Sequence, residues 1–302
     1  MATDFIALDW GTTSFRSFLV SADGSVRDRR ASADGIMSVK DDGFETLLER
    51  NLAGWDRALP VLASGMITSR QGWREVAYVP APAGVAQLAT GVARFETAAK
   101  RQIIFVPGIT VMGEDGIPDV MRGEETQIIG ALSGTDGIFV MRGTHCKWVR
   151  VANGKIVQFA TFMTGEMFAV LKEHSILGRL MTGEAAGGSG FERGVRKGLA
   201  SPSGGAGLLH DLFSARTLGL FGTIAGDQLA PYLSGLLIGS EIAGASGVMA
   251  PGAAGVTVIG APALADPFRR ALKLAGIAAA AGPEDAAVRG LAKIGRQIGV
   301  IT

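Results

Sequence analysis

Phe5-Ile6-Ala7-Leu8-Asp9-Trp10-Gly11-Thr12-Thr13-Ser14-Phe15-Arg16-Ser17-Phe18-Leu19-Val20, closing at Asp23-Gly24, is the stretch from which the fold can be read. It is an apolar strand, a tight Gly-Thr turn, a second strand and a dipeptide suited to a hairpin turn with positive φ. The same device returns as Gly137-Ile138-Phe139-Val140-Met141-Arg142-Gly143-Thr144-His145-Cys146-Lys147-Trp148-Val149-Arg150-Val151, closing at Asn153-Gly154. Two such turns, one in each half of the chain, suit a polyphosphate held between them, the arrangement of a nucleotide-dependent phosphotransferase. The symmetry is incomplete, because Asp9 has no acidic counterpart before Gly143, where Arg142 stands. The first turn is therefore expected to hold metal and the second phosphate.

A chain of 302 residues exceeds a typical single domain, so two domains are expected. A composition 47% hydrophobic and 19% charged supplies substantial cores and excludes a disordered chain. Lys+Arg 29 against Asp+Glu 28 leaves a net charge of +1, without a basic stripe, so no nucleic-acid partner is expected. The single cysteine, Cys146, cannot form an internal disulfide, which favours a reducing compartment. No basic-then-apolar signal pattern opens the chain. The most apolar stretch, 229–265, is broken by Glu241, Pro231, Pro251 and several glycines, so it lacks the ~20 uninterrupted apolar residues of a membrane span. A buried helix followed by a buried strand is expected there, in a soluble cytoplasmic protein without a membrane partner. A homodimer is compatible with a sequence that leaves the oligomeric state open.

Along the chain, 25–32 reads as a third antiparallel strand. Phe44, Leu47, Leu48, Leu52 and Trp55 recur at helical spacing, predicting a helix over 43–57. Pro60-Val61-Leu62-Ala63-Ser64 is a short buried strand, and strand ends of this kind in α/β sheets are where ligands bind. The polar loop 65–73 follows it; another buried strand spans 103–107. Glu124 and Glu125 open a helix, and a polar stretch at 133–137 marks a boundary, giving domains 1–133 and 134–302. Strands 147–151 and 155–159 pair about Asn153-Gly154; Met163-Thr164-Gly165-Glu166 opens a helix, and the glycine-rich 183–190 reads as a flexible connection. Strand 256–259, the turn Gly260-Ala261-Pro262 and a helix over 265–274 form a βα unit, followed by strand 278–281 and a last helix from 283. The hairpins are the one internal repeat the sequence displays.

Asp9, at the end of an apolar strand, can hold Mg²⁺ while the amides of Gly11, Thr12 and Thr13 approach phosphate oxygens; a turn-initiating Asp is the ordinary alternative. Gly143 and Thr144 could serve the other side of the phosphate chain, with Lys147 neutralising transferring charge. His145 and Lys147 are equally at home as hairpin residues. A sugar kinase needs a carboxylate to accept the hydroxyl proton, and either Glu124 or Glu125 fits. About 100° apart on a helix, the two cannot point at one atom. The chain carries no P-loop, no hydrolase nucleophile elbow and too few His and Cys for a closed zinc site. Cys146 reads as a shielded thiol.

Asp9-Trp10-Gly11-Thr12-Thr13, Met121-Arg122-Gly123-Glu124-Glu125-Thr126-Gln127, Gly143-Thr144-His145-Cys146-Lys147-Trp148-Val149, Met163-Thr164-Gly165-Glu166 and Ser234-Gly235-Leu236-Leu237-Ile238-Gly239 together resemble the 2-dehydro-3-deoxygalactonokinase family, in order over nearly the whole chain. The resemblance implies an actin-like ATPase fold: two ribonuclease-H-like α/β domains with a nucleotide cleft between them. It implies ATP- and Mg²⁺-dependent phosphorylation of the 6-hydroxyl of 2-dehydro-3-deoxygalactonate. The N-terminal domain would then carry the first phosphate motif, with Asp9 as metal ligand, and the sugar-acid site. The C-terminal domain would carry the second phosphate motif and, at Gly260 and Ala261, the adenosine side. Related carbohydrate kinases place an aspartate where Glu124-Glu125 stands, and Glu124, directly after Gly123, is favoured as base. A 2-keto acid calls for Arg or Lys and backbone amides, and Arg16, Arg70, Arg122 and Lys147 lie in the motif segments; His145, Glu125 and Ser69 are further candidate substrate contacts, with Gly65, Met66 and Trp73 along the carbon chain. The competing readings are a kinase of the same fold for another sugar acid, an actin-type ATP switch without an acceptor, and a sugar-acid binder without turnover.

Overall fold

The apolar run before the first Gly-Thr turn forms β1 (Phe5–Trp10), and every one of its residues is buried. In this computed structural model residues 4–41, 43–183, 188–201, 207–252 and 255–301 are described, and they divide into two units. In the first unit β1 is followed by β2 (Phe15–Val20), β3 (Val26–Ser32), α1 (Phe44–Asn51), β4 (Val61–Ser64), β5 (Val79–Pro80) and α2 (Val85–Thr90). β6 (Ala93–Glu96), β7 (Gln102–Phe105), β8 (Ile109–Met112), β9 (Pro118–Met121) and α3 (Glu124–Ala131) complete the run. Six strands make a sheet in the order β3-β2-β1-β4-β7-β6. β1 pairs antiparallel with β2, in the register Asp9↔Arg16, and parallel with β4. Strand alternation gives the sheet two buried faces. Ile6, Leu8, Trp10 and Phe15 join Leu48 of α1 and Val61, Ile103 and Phe105 in one core. The opposite face, which carries Leu62, meets the chain's last helix at Gly295.

The second unit contains β10 (Gly137–Met141), β11 (Cys146–Ala152), β12 (Lys155–Phe162), α4 (Thr164–His174) and α5 (Gly188–Ala200). α6 (Leu208–Leu212), α7 (Ser214–Leu220), α8 (Gly226–Met249), β13 (Val256–Ile259), α9 (Pro262–Leu274) and β14 (Ala279–Ala281) follow. Its sheet runs β12-β11-β10-β13-β14, with β10, β13 and β14 parallel. The strand pattern of the first sheet thus recurs, a hairpin-linked trio beside parallel strands, so the internal repeat extends beyond the two hairpins. The last helix, α10 (Ala286–Gln297), belongs by its contacts to the first unit, as does the hairpin tip Val151–Gln158.

Four expectations differ from the structure. Helix α1 ends at Asn51, short of 57, and Gly54 with φ +82 carries the chain out of it. Asn153 and Gly154 both adopt positive φ, as a two-residue hairpin requires, but at the first hairpin only Gly24 does. There Asp23 instead accepts hydrogen bonds from the amide and hydroxyl of Ser25. A single cut at 133/134 also differs from the contact-based units, because α10 packs on α3 so closely that a Cβ on Gly130 would lie 1.8 Å from the Ala286 carbonyl. Of the glycine-rich connection expected at 183–190, residues 184–187 lie outside the described residues, and Gly188 to Gly190 open α5.

Candidate active site

In the first unit, three chain segments converge on Asp9. Gly65 follows β4 with φ +96, and a Cβ there would lie 2.8 Å from the Trp10 carbonyl and 3.2 Å from Asp9 Oδ1. Gly123, with φ +108, precedes α3, and a Cβ on it would meet the Cα of Gly65 at 3.0 Å. Only glycine allows both the backbone conformation and the approach. The Asp9 carboxyl is nearly buried, and burial raises its pKa although Arg16 Nη2 sits 2.5 Å from Oδ2 and opposes the shift. Gly11, Thr12 and Thr13 form an exposed turn closed by Gly11 N donating to Ser14 O, and it is braced by the amides of Ile36 and Met37.

The two glutamates at the start of α3 diverge in environment. Glu125 is fully buried, and both its oxygens accept from the Gly123 amide, at 2.9 and 2.7 Å. Burial, reinforced by the neighbouring Glu124, pushes its pKa up to about 8. Glu124 is half-buried and accepts from the Arg122 amide at 2.8 Å. Arg122 itself is committed to the fold. Its Nη1 donates to Thr68 Oγ1 at 2.6 Å, its Nη2 donates to Val76 O at 2.9 Å, and its guanidinium lies over Tyr78. That bracing ties the loop after β4 to the start of α3 and leaves Nε as the one buried, unpartnered nitrogen.

In the second unit Gly143 and Thr144 stand at the end of β10, and Gly260 and Ala261 at the end of β13, its parallel neighbour. Ligands bind beside such carboxyl ends in open α/β sheets. The Arg142 amide donates to Ile259 O at 2.9 Å, which sets the two turns side by side. The start of α4 rests on the first of them: a Cβ on Gly165 would lie 2.6 Å from Gly143 O, and Glu166 N donates to Thr144 O. His145 Nε2 and Glu166 Oε2 are 2.5 Å apart, half exposed. Lys147 is buried, and its Nζ donates to Thr161 Oγ1 at 2.8 Å. Cys146 faces the opposite side of the strand, and burial pushes its thiol up to about 11, so it is an unreactive neutral group.

The model of the 2-keto-3-deoxy-galactonokinase family matches residues 9–294 of the chain. The chain belongs to this family. It is 38% identical to the "Probable 2-dehydro-3-deoxygalactonokinase DgoK1" of Rhizobium meliloti (strain 1021), with 97% of each chain covered. It is 34% identical to the 2-dehydro-3-deoxygalactonokinase of Escherichia coli (strain K12), over 80% of each. A crystal structure of a Sinorhizobium meliloti protein carrying the same assignment superposes with a TM-score of 0.88 at 37% identity, covering 97% of this chain and 99% of that one. At 10% identity and a TM-score of 0.51, the activator of 2-hydroxyisocaproyl-CoA dehydratase from Clostridium difficile, solved with ADPNP, shares the fold. The expected two-domain, actin-like α/β architecture of a sugar kinase is therefore correct.

The site residues expected from the sequence fall into two sets. Asp9, Gly65 and Glu125 gather around Gly123; Gly143, Thr144, Gly260 and Ala261 line adjacent strand ends. Other candidates are occupied elsewhere. Trp73 stacks on Phe44 with ring centroids 6.0 Å apart and meets Phe95 and Phe105 edge-on, as part of the aromatic core. The Ser69 hydroxyl donates to the Met66 carbonyl within its own turn. Sequence reasoning missed Gly165 and Glu166 as supports of the second turn, and Thr68 as the partner of Arg122. For the first pair the signal was the Met-Thr-Gly-Glu string, which opens a helix as expected.

Proposed function

We propose that this galactonokinase-family chain transfers the terminal phosphoryl group of ATP to the 6-hydroxyl of 2-dehydro-3-deoxygalactonate. What carries the reading is a family match that spans both Gly-Thr turns and the glutamate pair. In this reading Glu124 is the base. It is the glutamate of the pair with exposed surface, whereas the buried Glu125 is largely protonated at neutral pH and keeps the Gly123 turn in place. As the 6-oxygen bonds to the terminal phosphorus and the bridging P–O bond breaks to release ADP, Glu124 takes the hydroxyl proton. Amides and hydroxyls of Gly11, Thr12, Thr13, Gly143 and Thr144 bind phosphate oxygens, and Gly260 and Ala261 take the adenosine side. Lys147, buried and donating to the Thr161 hydroxyl, supplies positive charge to an anionic group.

No group of three His, Cys, Asp or Glu side chains suited to a metal occurs among the described residues. Mg²⁺ in phosphoryl transfer needs only one or two protein carboxylates besides phosphate and water, and Asp9, nearly buried with its Oδ1 against Gly65, fits that role. When bound, the ion neutralises phosphate charge. Arg16 and Met66 and the backbone at Gly65 remain candidate contacts for the sugar acid, with Arg122 acting by bracing. No helix among the described residues is long and apolar enough to cross a membrane, and use of ATP supports a cytoplasmic site of action.

The test is an ADP-release assay over a panel of aldonic and 2-keto-3-deoxy acids, with product position read by phosphorus NMR. The galacto acid phosphorylated at oxygen 6 is expected to give the highest kcat/KM; preference for another acid assigns a different substrate. Glu124→Gln should lower kcat by about 100-fold or more, and Glu125→Gln by much less. The reverse ranking would make Glu125 the base.

A further inference from the structure

Behind the Gly143-Thr144 turn lies a buried ion pair that the chemistry above does not use. The Arg142 side chain, 6% exposed, turns into the core of the second unit. Its Nη1 donates to Glu241 Oε2 at 3.1 Å and contacts Cys146 Sγ, and its guanidinium lies 4.3 Å from the centre of the Phe268 ring. Glu241 is the acidic residue among the buried positions of α8, and its side chain is 1% exposed. Its other oxygen, Oε1, accepts from Trp148 Nε1 at 3.0 Å. A single carboxylate therefore holds the residue just before the turn and a residue early in β11 just after it. Arg142 is also the point where the turn meets its neighbour, since a Cβ on Gly260 would lie 3.1 Å from Arg142 Cβ.

Stability does not require charges here. Removing an arginine and a glutamate from water costs several kcal/mol per ion, and apolar side chains of similar volume often serve a core as well or better. What the pair supplies that apolar packing does not is direction, because two hydrogen bonds from opposite sides fix where the turn's ends stand. We propose that Glu241 is a positioning residue for nucleotide binding: through Arg142 and Trp148 it fixes the Gly143-Thr144 turn against Gly260-Ala261. The inference rests on assigning those turns to ATP.

Calorimetric titration of ATP and steady-state kinetics on the unaltered chain, Glu241→Gln and the double variant Arg142→Met/Glu241→Met test it. Glu241→Gln should weaken ATP affinity and raise the KM for ATP by about tenfold, a loss of one strong hydrogen bond's directing effect, with the KM for the sugar acid unchanged. The double variant, which leaves Trp148 Nε1 without its acceptor, should stay folded and melt only modestly lower yet keep the weakened ATP binding, which a purely structural pair would not do. Native ATP affinity in a folded Glu241→Gln or double variant overturns the inference alone. An equal rise in both KM values also overturns it. An unaltered chain that binds no ATP overturns the assignment of the turns and this inference with it.

Discussion

At Glu125 burial outweighs every favourable contact the carboxylate makes. Two hydrogen bonds from the Gly123 amide and the nearby Arg122 favour the charged form, yet loss of water and the adjacent Glu124 carry the pKa to about 8. An acid whose folded pKa is raised stabilises fully below its unfolded value, here 4.5, where both states hold the proton. As pH rises from there the unfolded chain releases the proton and the folded chain keeps it, so stability falls until about pH 8 and then levels. The unaltered protein should thus lose melting temperature relative to Glu125→Gln between pH 5 and pH 8, since the amide has no proton to release. Parallel curves over that window would show Glu125 ionised in the folded state. Asp9 is raised by the same cause, but there Arg16 pulls the other way. Arg16→Met removes that opposition, so the acid limb of kcat/KM should move to higher pH; an unmoved limb would detach Asp9 from the activity. The residue types at these positions were legible in the sequence, and their environments were not. Which of two adjacent glutamates is buried depends on how α3 sits, and nothing within the string Gly-Glu-Glu-Thr decides it.

Elements were legible where apolar runs are bounded by turn residues, so β1, β2, β4, β10, β11, β12 and β13 fall close to their expected places. Glycine misled at 183–190, which reads as a linker in sequence, whereas Gly188 and Gly190 lie inside α5. Gly190, Gly194 and Gly198 of α5 pack against the α8 backbone at Gln228, Tyr232 and Leu236, and Gly235 and Gly239 of α8 pack against the α5 backbone at Phe191 and Val195. A Cβ on Gly194 would lie 2.1 Å from the Tyr232 carbonyl, and one on Gly235 2.1 Å from Phe191 O. The i, i+4 spacing in both helices was the available signal: it places the small residues on one stripe of each, and backbones can then touch. Gly194→Val should lower stability by about 3 kcal/mol, as overpacking against rigid backbone does, roughly 6 to 12 °C for a domain of this size. Gly247→Ala is the control on the same α8, with nothing within 4 Å of its Cβ, and should hold or raise the melting temperature. Equal effects of the two substitutions would mean that helix propensity alone governs these positions. Trp73 misled for another reason: its loop reads as a ligand loop, but the ring packs against Phe44, Phe95 and Phe105.

At the scale of the whole chain, the two sheets repeat one topology, but the sequence displays only the hairpins, because parallel strands such as β4 and β13 are short apolar runs without a periodic signature. The assignment of α10 was likewise beyond local reading. Its buried residues Val288, Leu291 and Ile294 announce an amphipathic helix and say nothing of which sheet it covers. The contacts decide: a Cβ on Gly290 would lie 1.8 Å from the Thr126 carbonyl, and Lys293 Nζ donates to Ile129 O at 2.7 Å. Lys293 thereby closes the carboxyl end of α3, a favourable place for a cation, although burial lowers its pKa. The helix that presents Glu124 and Glu125 is thus held in place by the last helix of the chain. Gly290→Leu, which forces that crossing apart, should lower melting temperature and kcat together. Lys293→Met should act more mildly, leaving α3 packed but its last carbonyls without their donor, at a cost of about 1 to 2 kcal/mol. Normal kcat in a Gly290→Leu protein that still folds would show that the crossing of α3 and α10 does not govern where the glutamates stand.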